Sequence, residues 1–295
     1  MNRYFKSPPF FITLGILIFV SAMYFAFKAK YEINFENPTD VNVINRWEMP
    51  ELLIEVSGIA YIDKNHLACI QDEDGYIFIY NLTSKKIERK FKFGPAGDYE
   101  GITLVGNTAY VLRSDARIFE VSDITSENPT TIDHETPLND EYDFEGICYD
   151  KKNNRLLLAF KEENPEKEKK YKSIFEFGLE DKRLKREPVY KIQYNNKMFK
   201  ELQHFDTDKV FNPSEIGIHP KTGDIYILDG VNPKMLILDK NWKEKALYVF
   251  DPGIFTQPEG LTFSKEGKMF IANEGGWNPA NILEVSLEDT SLEKK

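Results

Sequence analysis

Five short triplets recur along this chain: Ser57-Gly58-Ile59, Glu100-Gly101-Ile102, Glu145-Gly146-Ile147, Ser214-Glu215-Ile216 and Glu259-Gly260-Leu261. Their third positions step by 43, 45, 69 and 45 residues. A period in the low forties is the length of one four-stranded propeller blade, a unit that buries its faces only against its neighbours. The triplets therefore predict a ring of repeated units, with function to be sought where the repeats converge.

Between the triplets, short runs of strand composition alternate with turns rich in Gly, Asn, Asp and Pro. In the first unit the strands fall at Val56 to Ile62, His66 to Ile70, Tyr76 to Tyr80 and Ile87 to Phe93. The long step of 69 has a local cause: the third unit carries a charged insertion, Lys161 to Lys172, and a long exit from Asn195 to Pro213. The fifth unit supplies only three strands, at Leu261 to Phe263, Lys268 to Ala272 and Asn281 to Val285. Val41 to Trp47 is extended and otherwise partnerless, and pairing it with the last blade would close the ring and remove two exposed sheet edges. The expected fold is an all-β, five-bladed β-propeller over residues 41–295. Six blades is the alternative, if the third unit's insertions hide another sheet.

Phe10 to Phe27 is an apolar run of 18 residues without a charge, preceded by Arg3 and Lys6 and followed by Lys28 and Lys30. At about 1.5 Å per residue it just crosses a bilayer core of about 30 Å. We read residues 1–28 as a single-pass N-terminal transmembrane helix and 29–40 as a polar tether. A cleaved signal peptide ending near Val20-Ser21-Ala22 is the other reading. Both send the propeller to, or across, a membrane, so the expected location is the cell membrane with the propeller periplasmic or otherwise extracytoplasmic.

The formal charge of −10 argues against nucleic acid as a partner and suits cations. Cys69 and Cys148 sit in apolar strands of different repeats and are expected to be buried free thiols.

In a propeller the first strand of each blade lines the channel and the second returns beside it, so the triplets and the second-strand ends ring one mouth. Strand alternation puts Glu100, Ile102 and Leu104 on one face, and Gly101 on the other. Ser57, Gln71, Arg113, Lys161, Ser214 and Glu274 are expected as polar groups of this mouth. Inward carboxylates repel one another and need protons, cationic side chains or a metal. Glu100 shares a blade with Arg113, and Glu145 with Lys161, so each either pairs internally or turns to a metal. Glu215, Glu259, Asp229 and Asn273 have no such cation at the matching place. Together these six oxygen-bearing side chains, Glu100, Glu145, Glu215, Glu259, Asp229 and Asn273, suit Ca²⁺, which accepts six to eight hard oxygen ligands.

Several runs carry a resemblance: Glu55-Val56-Ser57-Gly58-Ile59-Ala60, Gln71-Asp72-Glu73-Asp74-Gly75, Gly97-Asp98-Tyr99-Glu100-Gly101-Ile102, Phe144-Glu145-Gly146-Ile147, Asn212-Pro213-Ser214-Glu215-Ile216 and Gln257-Pro258-Glu259-Gly260-Leu261. These resemble the SdiA-regulated family of bacterial membrane-associated propellers. The resemblance implies an N-terminal membrane segment, five blades and a calcium site, with no established biochemical activity.

The chain has no Gly-x-Ser-x-Gly elbow, Walker A loop or His-Glu-x-x-His motif, and its four histidines are scattered. No nucleophile is nominated. Two functions are carried forward: a membrane-anchored, calcium-binding module that recognises an unidentified ligand or protein at the cell envelope, or a calcium-dependent hydrolase of phosphoesters or lactones.

Overall fold

The computed structural model describes residues 41–138, 143–161, 171–200, 210–276 and 278–287. The anchor and tether expected over residues 1–40 lie outside these residues, as does most of the 161–172 insertion. Among the described residues no helix is long and apolar enough to cross a membrane.

Short turns between runs of alternating or continuous apolar residues give five antiparallel sheets. The first blade holds β2 (Val56–Asp63), β3 (His66–Gln71), β4 (Asp74–Asn81) and β5 (Lys86–Ala96). The second holds β6 (Tyr99–Val105), β7 (Thr108–Arg113), β8 (Ile118–Ser122) and β9 (Thr130–His134). In the third, β10 (Phe144–Asp150), β11 (Arg155–Phe160) and β12 (Tyr171–Gly178) are completed by two short strands, β13 (Arg183–Leu184) and β14 (Tyr190–Gln193), which both pair with β12. The fourth holds β15 (Pro213–Ile218), β16 (Ile225–Asp229), β17 (Lys234–Leu238) and β18 (Glu244–Val249). The fifth is β19 (Pro258–Phe263), β20 (Met269–Asn273) and β21 (Asn281–Leu287), joined at its edge by β1 (Val41–Glu48). Among the described residues five blades, not six, account for the repeats, and the third is completed by an outer strand split into β13 and β14.

The innermost strands touch in cyclic order, β2 with β6, β6 with β10, β10 with β15, β15 with β19 and β19 with β2, so the ring is closed. Residues Asn37–Lys295 form a compact unit of their own that contains every strand of the ring. The missing Cβ of the triplet glycines permits this approach: a Cβ on Gly58 would stand 3.0 Å from the Cα of Gly101.

Apolar side chains fill the wedges between blades. Between the first and second, Phe93, Tyr99 and Phe119 meet edge to face with centroids 4.8, 5.6 and 5.5 Å apart, and the buried Tyr99 hydroxyl donates to the Pro95 carbonyl at 2.9 Å. Phe144 repeats the edge-to-face arrangement in the third blade, packing on Phe160 and Phe175. Cys69 and Cys148 are buried free thiols.

Candidate functional site

Each innermost strand begins with a β-bulge, and it falls on the triplet every time. Pairing skips one residue between Val56 and Gly58, Tyr99 and Gly101, Phe144 and Gly146, Pro213 and Glu215, and Pro258 and Gly260. The extra residues are therefore Ser57, Glu100, Glu145, Ser214 and Glu259. A bulge kinks the strand and re-aims the side chain beside it, so the simple alternation expected for Glu100, Ile102 and Leu104 breaks at its first member.

This register bears out the triplet alignment of Glu215 with glycine and separates it from the other mouth glutamates. Glu215 does not match Glu100, Glu145 and Glu259; it stands where the other blades have glycine, one residue further down the channel. Its carboxylate takes up space beside Gly146, where a Cβ would lie 2.7 Å from the Glu215 Cα. Glu215 Oε1 accepts from the backbone N–H groups of Ile147 and Ile216, both at 2.8 Å, and so ties the third blade to the fourth. Oε2 of this wholly buried side chain has no hydrogen-bond partner among the described residues. Burial holds the carboxyl well above the usual range, against the pull of those two N–H groups.

The three bulge glutamates share one cation. Lys161 Nζ lies 2.6 Å from Glu145 Oε1, the pairing that the shared blade suggested. Although burial opposes it, attraction from Glu145, with Glu259 and Glu100 behind, holds the Lys161 ammonium above its ordinary range. One ammonium does not balance the set. Burial, reinforced by Glu145 and Asp98, pushes Glu100 up to about 11. Burial raises Glu145 to about 8 despite Lys161. Burial and Glu274 raise Glu259 to about 7, while Gln257 and Lys161 pull the other way.

Two expected members are engaged elsewhere. Arg113 does not reach for Glu100; its Nε and Nη2 clasp Asp115 at 2.9 and 2.7 Å, because a carboxylate two residues away on the same turn gives the bidentate fit. Asp229 is not a free oxygen ligand. It forms a 2.5 Å ion pair with Lys234, both side chains fully buried, and also accepts from the Asn212 and Asn232 N–H groups at 2.9 and 3.0 Å.

The remaining predicted groups serve locally. Gln71 Oε1 accepts from the Glu73 and Asp74 N–H groups, at 2.6 and 3.2 Å. Ser214 Oγ donates to the Pro258 carbonyl at 2.7 Å, linking the fourth blade to the fifth. Gln257 Nε2 donates to both Glu259 and Glu274 and so bridges two carboxylates. Asn273 donates through Nδ2 to Asn281 at 3.0 Å, and its buried Oδ1, like Ser57 Oγ and Asp72 Oδ1, has no hydrogen-bond partner among the described residues. Burial, with Glu55 and Glu73 adding repulsion, raises Asp72 to about 6. Among the described residues no three acidic, histidine or cysteine side chains lie close enough to chelate an ion as they stand.

Asp98, Gln257 and Asp72 belong to this mouth and were missed from the sequence. A signal for the first two exists: two residues before each bulge stand Glu55, Asp98, Asp143, Asn212 and Gln257, all acids or amides. The repeat therefore extends two residues upstream of the triplet.

The SdiA-regulated family model matches residues 36–277. The chain belongs to the SdiA-regulated family. Its ring resembles a glutaminyl cyclase from Myxococcus xanthus, 15% identical over 84% of this chain and 96% of that one, with a TM-score of 0.55. It also resembles the PQQ-bound aldose sugar dehydrogenase of Streptomyces coelicolor, 14% identical over 85% of this chain and 100% of that one, with a TM-score of 0.51. At these identities the likeness shows the fold alone. A comparison with curated proteins finds no match.

Proposed function

We propose that this member of the SdiA-regulated family is a membrane-anchored, calcium-binding propeller that recognises a ligand or a protein at the cell envelope. The observation that carries the calcium reading is buried oxygen without a donor: Glu215 Oε2 and Asn273 Oδ1, both on fully buried residues, at a mouth where three bulge glutamates share a single ammonium. Unmet buried carboxylate oxygen is costly, and a divalent cation relieves that cost where hydrogen-bond donors are lacking. Glu100, Glu145, Glu215, Glu259 and Asn273 would hold the ion. Asp229 leaves that set because Lys234 already neutralises it. Calcium tolerates irregular shells completed by hydroxyl and water oxygens, which suits carboxylates that are near one another without forming a ready-made chelate. Once bound, the ion supplies fixed positive charge at the mouth and cross-links blades.

The apolar segment Phe10 to Phe27 supports the anchor. A calcium-dependent hydrolase would need a cation to hold a substrate's anionic group; of the two basic groups expected at this mouth, Arg113 is committed to Asp115 and Lys161 to Glu145, so neither is a ready phosphate ligand. The test is calorimetric titration of calcium into the chelated protein. Saturable binding that Glu215→Gln weakens at least tenfold supports the reading, and heats equal to the buffer blank overturn it.

A further inference from the structure

The channel has a second mouth, and its chemistry is the reverse of the first. A cavity of about 870 Å³ opens where the innermost strands end, and the turns that follow them form its rim. Its inner wall carries the apolar side chains Ile102, Ile147 and Leu261 from three different blades, beside the hydroxyls of Thr103 and Thr262. Its rim carries Lys151, Lys152, Lys221, Lys240 and Lys265, all exposed. None of these five lysines forms an ion pair with a described carboxylate. The one carboxylate of the lining, Asp150, is already held by Arg155 at 2.9 Å. The nearest acid to the set is Glu266, which feels Lys221 and Lys265 without forming an ion pair with either. On a chain of net charge −10, five lysines around one concavity against that one carboxylate focus a net positive field into it.

The aromatic groups at this mouth are fixed in place. Phe263 meets His219 and Tyr226 edge to face at 5.3 and 5.1 Å. Trp242 stacks on Tyr190 at 4.9 Å with the rings 20° from parallel, and its backbone holds a left-handed φ of +67°, which a bulky residue rarely adopts.

We propose that this basic mouth binds a small amphipathic anion, one whose aromatic or aliphatic body fills the cavity while its carboxylate, sulfonate or phosphate meets the rim lysines. The volume falls within the range of small-molecule sites. The apolar part of the wall disfavours a bare inorganic anion, which would leave it unfilled. A concave pit on an acidic protein disfavours nucleic acid. The site lies at the opposite end of the channel from the acidic mouth, and it stands without the calcium reading.

The test uses residues 37–295, the compact unit that holds the whole ring, in excess chelator so that the two readings fail separately. The probe is anilinonaphthalene sulfonate, followed by its fluorescence, with uncharged N-phenylnaphthylamine as the matched control. The proposal expects saturable binding of one sulfonate probe per chain. Lys221→Glu combined with Lys265→Glu should weaken it about tenfold or more, with the neutral probe changing less than about twofold. The milder Lys221→Gln and Lys265→Gln pair, at exposed positions, should fall between. Unsaturable binding, equal sulfonate affinity in the charge-reversed protein, or equal loss of both probes would each overturn the proposal.

Discussion

Replacing Lys234 by methionine tests how blade four holds itself together. The change keeps most of the side chain's volume and removes only the ammonium, which sits 2.5 Å from Asp229, donates to the Asn232 carbonyl at 2.9 Å and lies 5.8 Å from the centre of the Phe211 ring. What is left is a fully buried carboxylate with two backbone N–H donors and no counter-charge. Stranding one member of a buried pair costs about 3–5 kcal/mol. That is a large share of the roughly 5–15 kcal/mol that holds a domain folded. With about 2–4 °C lost per kcal/mol in a domain of this size, Lys234→Met should melt about 6–20 °C lower. Urea denaturation followed by circular dichroism, in chelator, gives the free energy directly. Adding Asp229→Asn to Lys234→Met should recover part of the loss, because no uncompensated charge remains. A loss below about 1 kcal/mol, or a double variant worse than the sum of the singles, would refute the reasoning. So would full rescue of Lys234→Met by calcium, since Asp229 would then be a metal ligand.

Glu215→Gln keeps an oxygen for the Ile147 and Ile216 N–H groups; its melting temperature in chelator should stay within about 3 °C of the parent while most of the calcium-induced rise disappears. Gly146→Ala forces a Cβ to 2.7 Å from the Glu215 Cα and should cost about 1–3 kcal/mol by urea denaturation, whereas Gly276→Ala, with nothing within 4 Å, should change stability by less than about 0.5 kcal/mol. The chelated protein should lose stability as pH rises: Glu259 and Glu145 are raised from 4.5 to about 7 and about 8, so the native state binds more protons than the unfolded chain across that window, and the stability they contribute is complete below about pH 4.5 and gone above about pH 8. Calcium competes with those protons, so the gap in melting temperature between calcium and chelator should widen from pH 5 to pH 8, and a gap that narrows would count against the site.

The ring was legible in the sequence because a blade is a local object: its four strands are consecutive, and the period of its markers survives large insertions. The third blade's outer edge was less so, since β13 is two residues long and carries no strand-like run of its own. At the mouth, the Glu145 pair with Lys161 could be read from their places, at the start of β10 and just past the end of the adjacent β11. Arg113 and Asp229 could not, because their partners compete at short range: Asp115 is two residues from Arg113, and Lys234 sits across the turn from Asp229. The bulge was the deepest omission. The triplets already set Glu215 against the glycines of the other blades, but a one-residue register shift leaves no trace in composition, and it is the shift that re-aims the residues before it and leaves the Glu215 carboxylate pressed between blades.

The central claim is that the acidic mouth is completed by calcium, and the most direct measurement is the melting temperature of the chelated protein as calcium is added. At about one hundred times the dissociation constant, binding to the native state alone adds about 2.7 kcal/mol, and for a domain of this size that is a rise of about 5–11 °C. The account predicts such a rise, saturating with concentration and largely absent in Glu215→Gln. An unchanged melting temperature between chelator and millimolar calcium would contradict it.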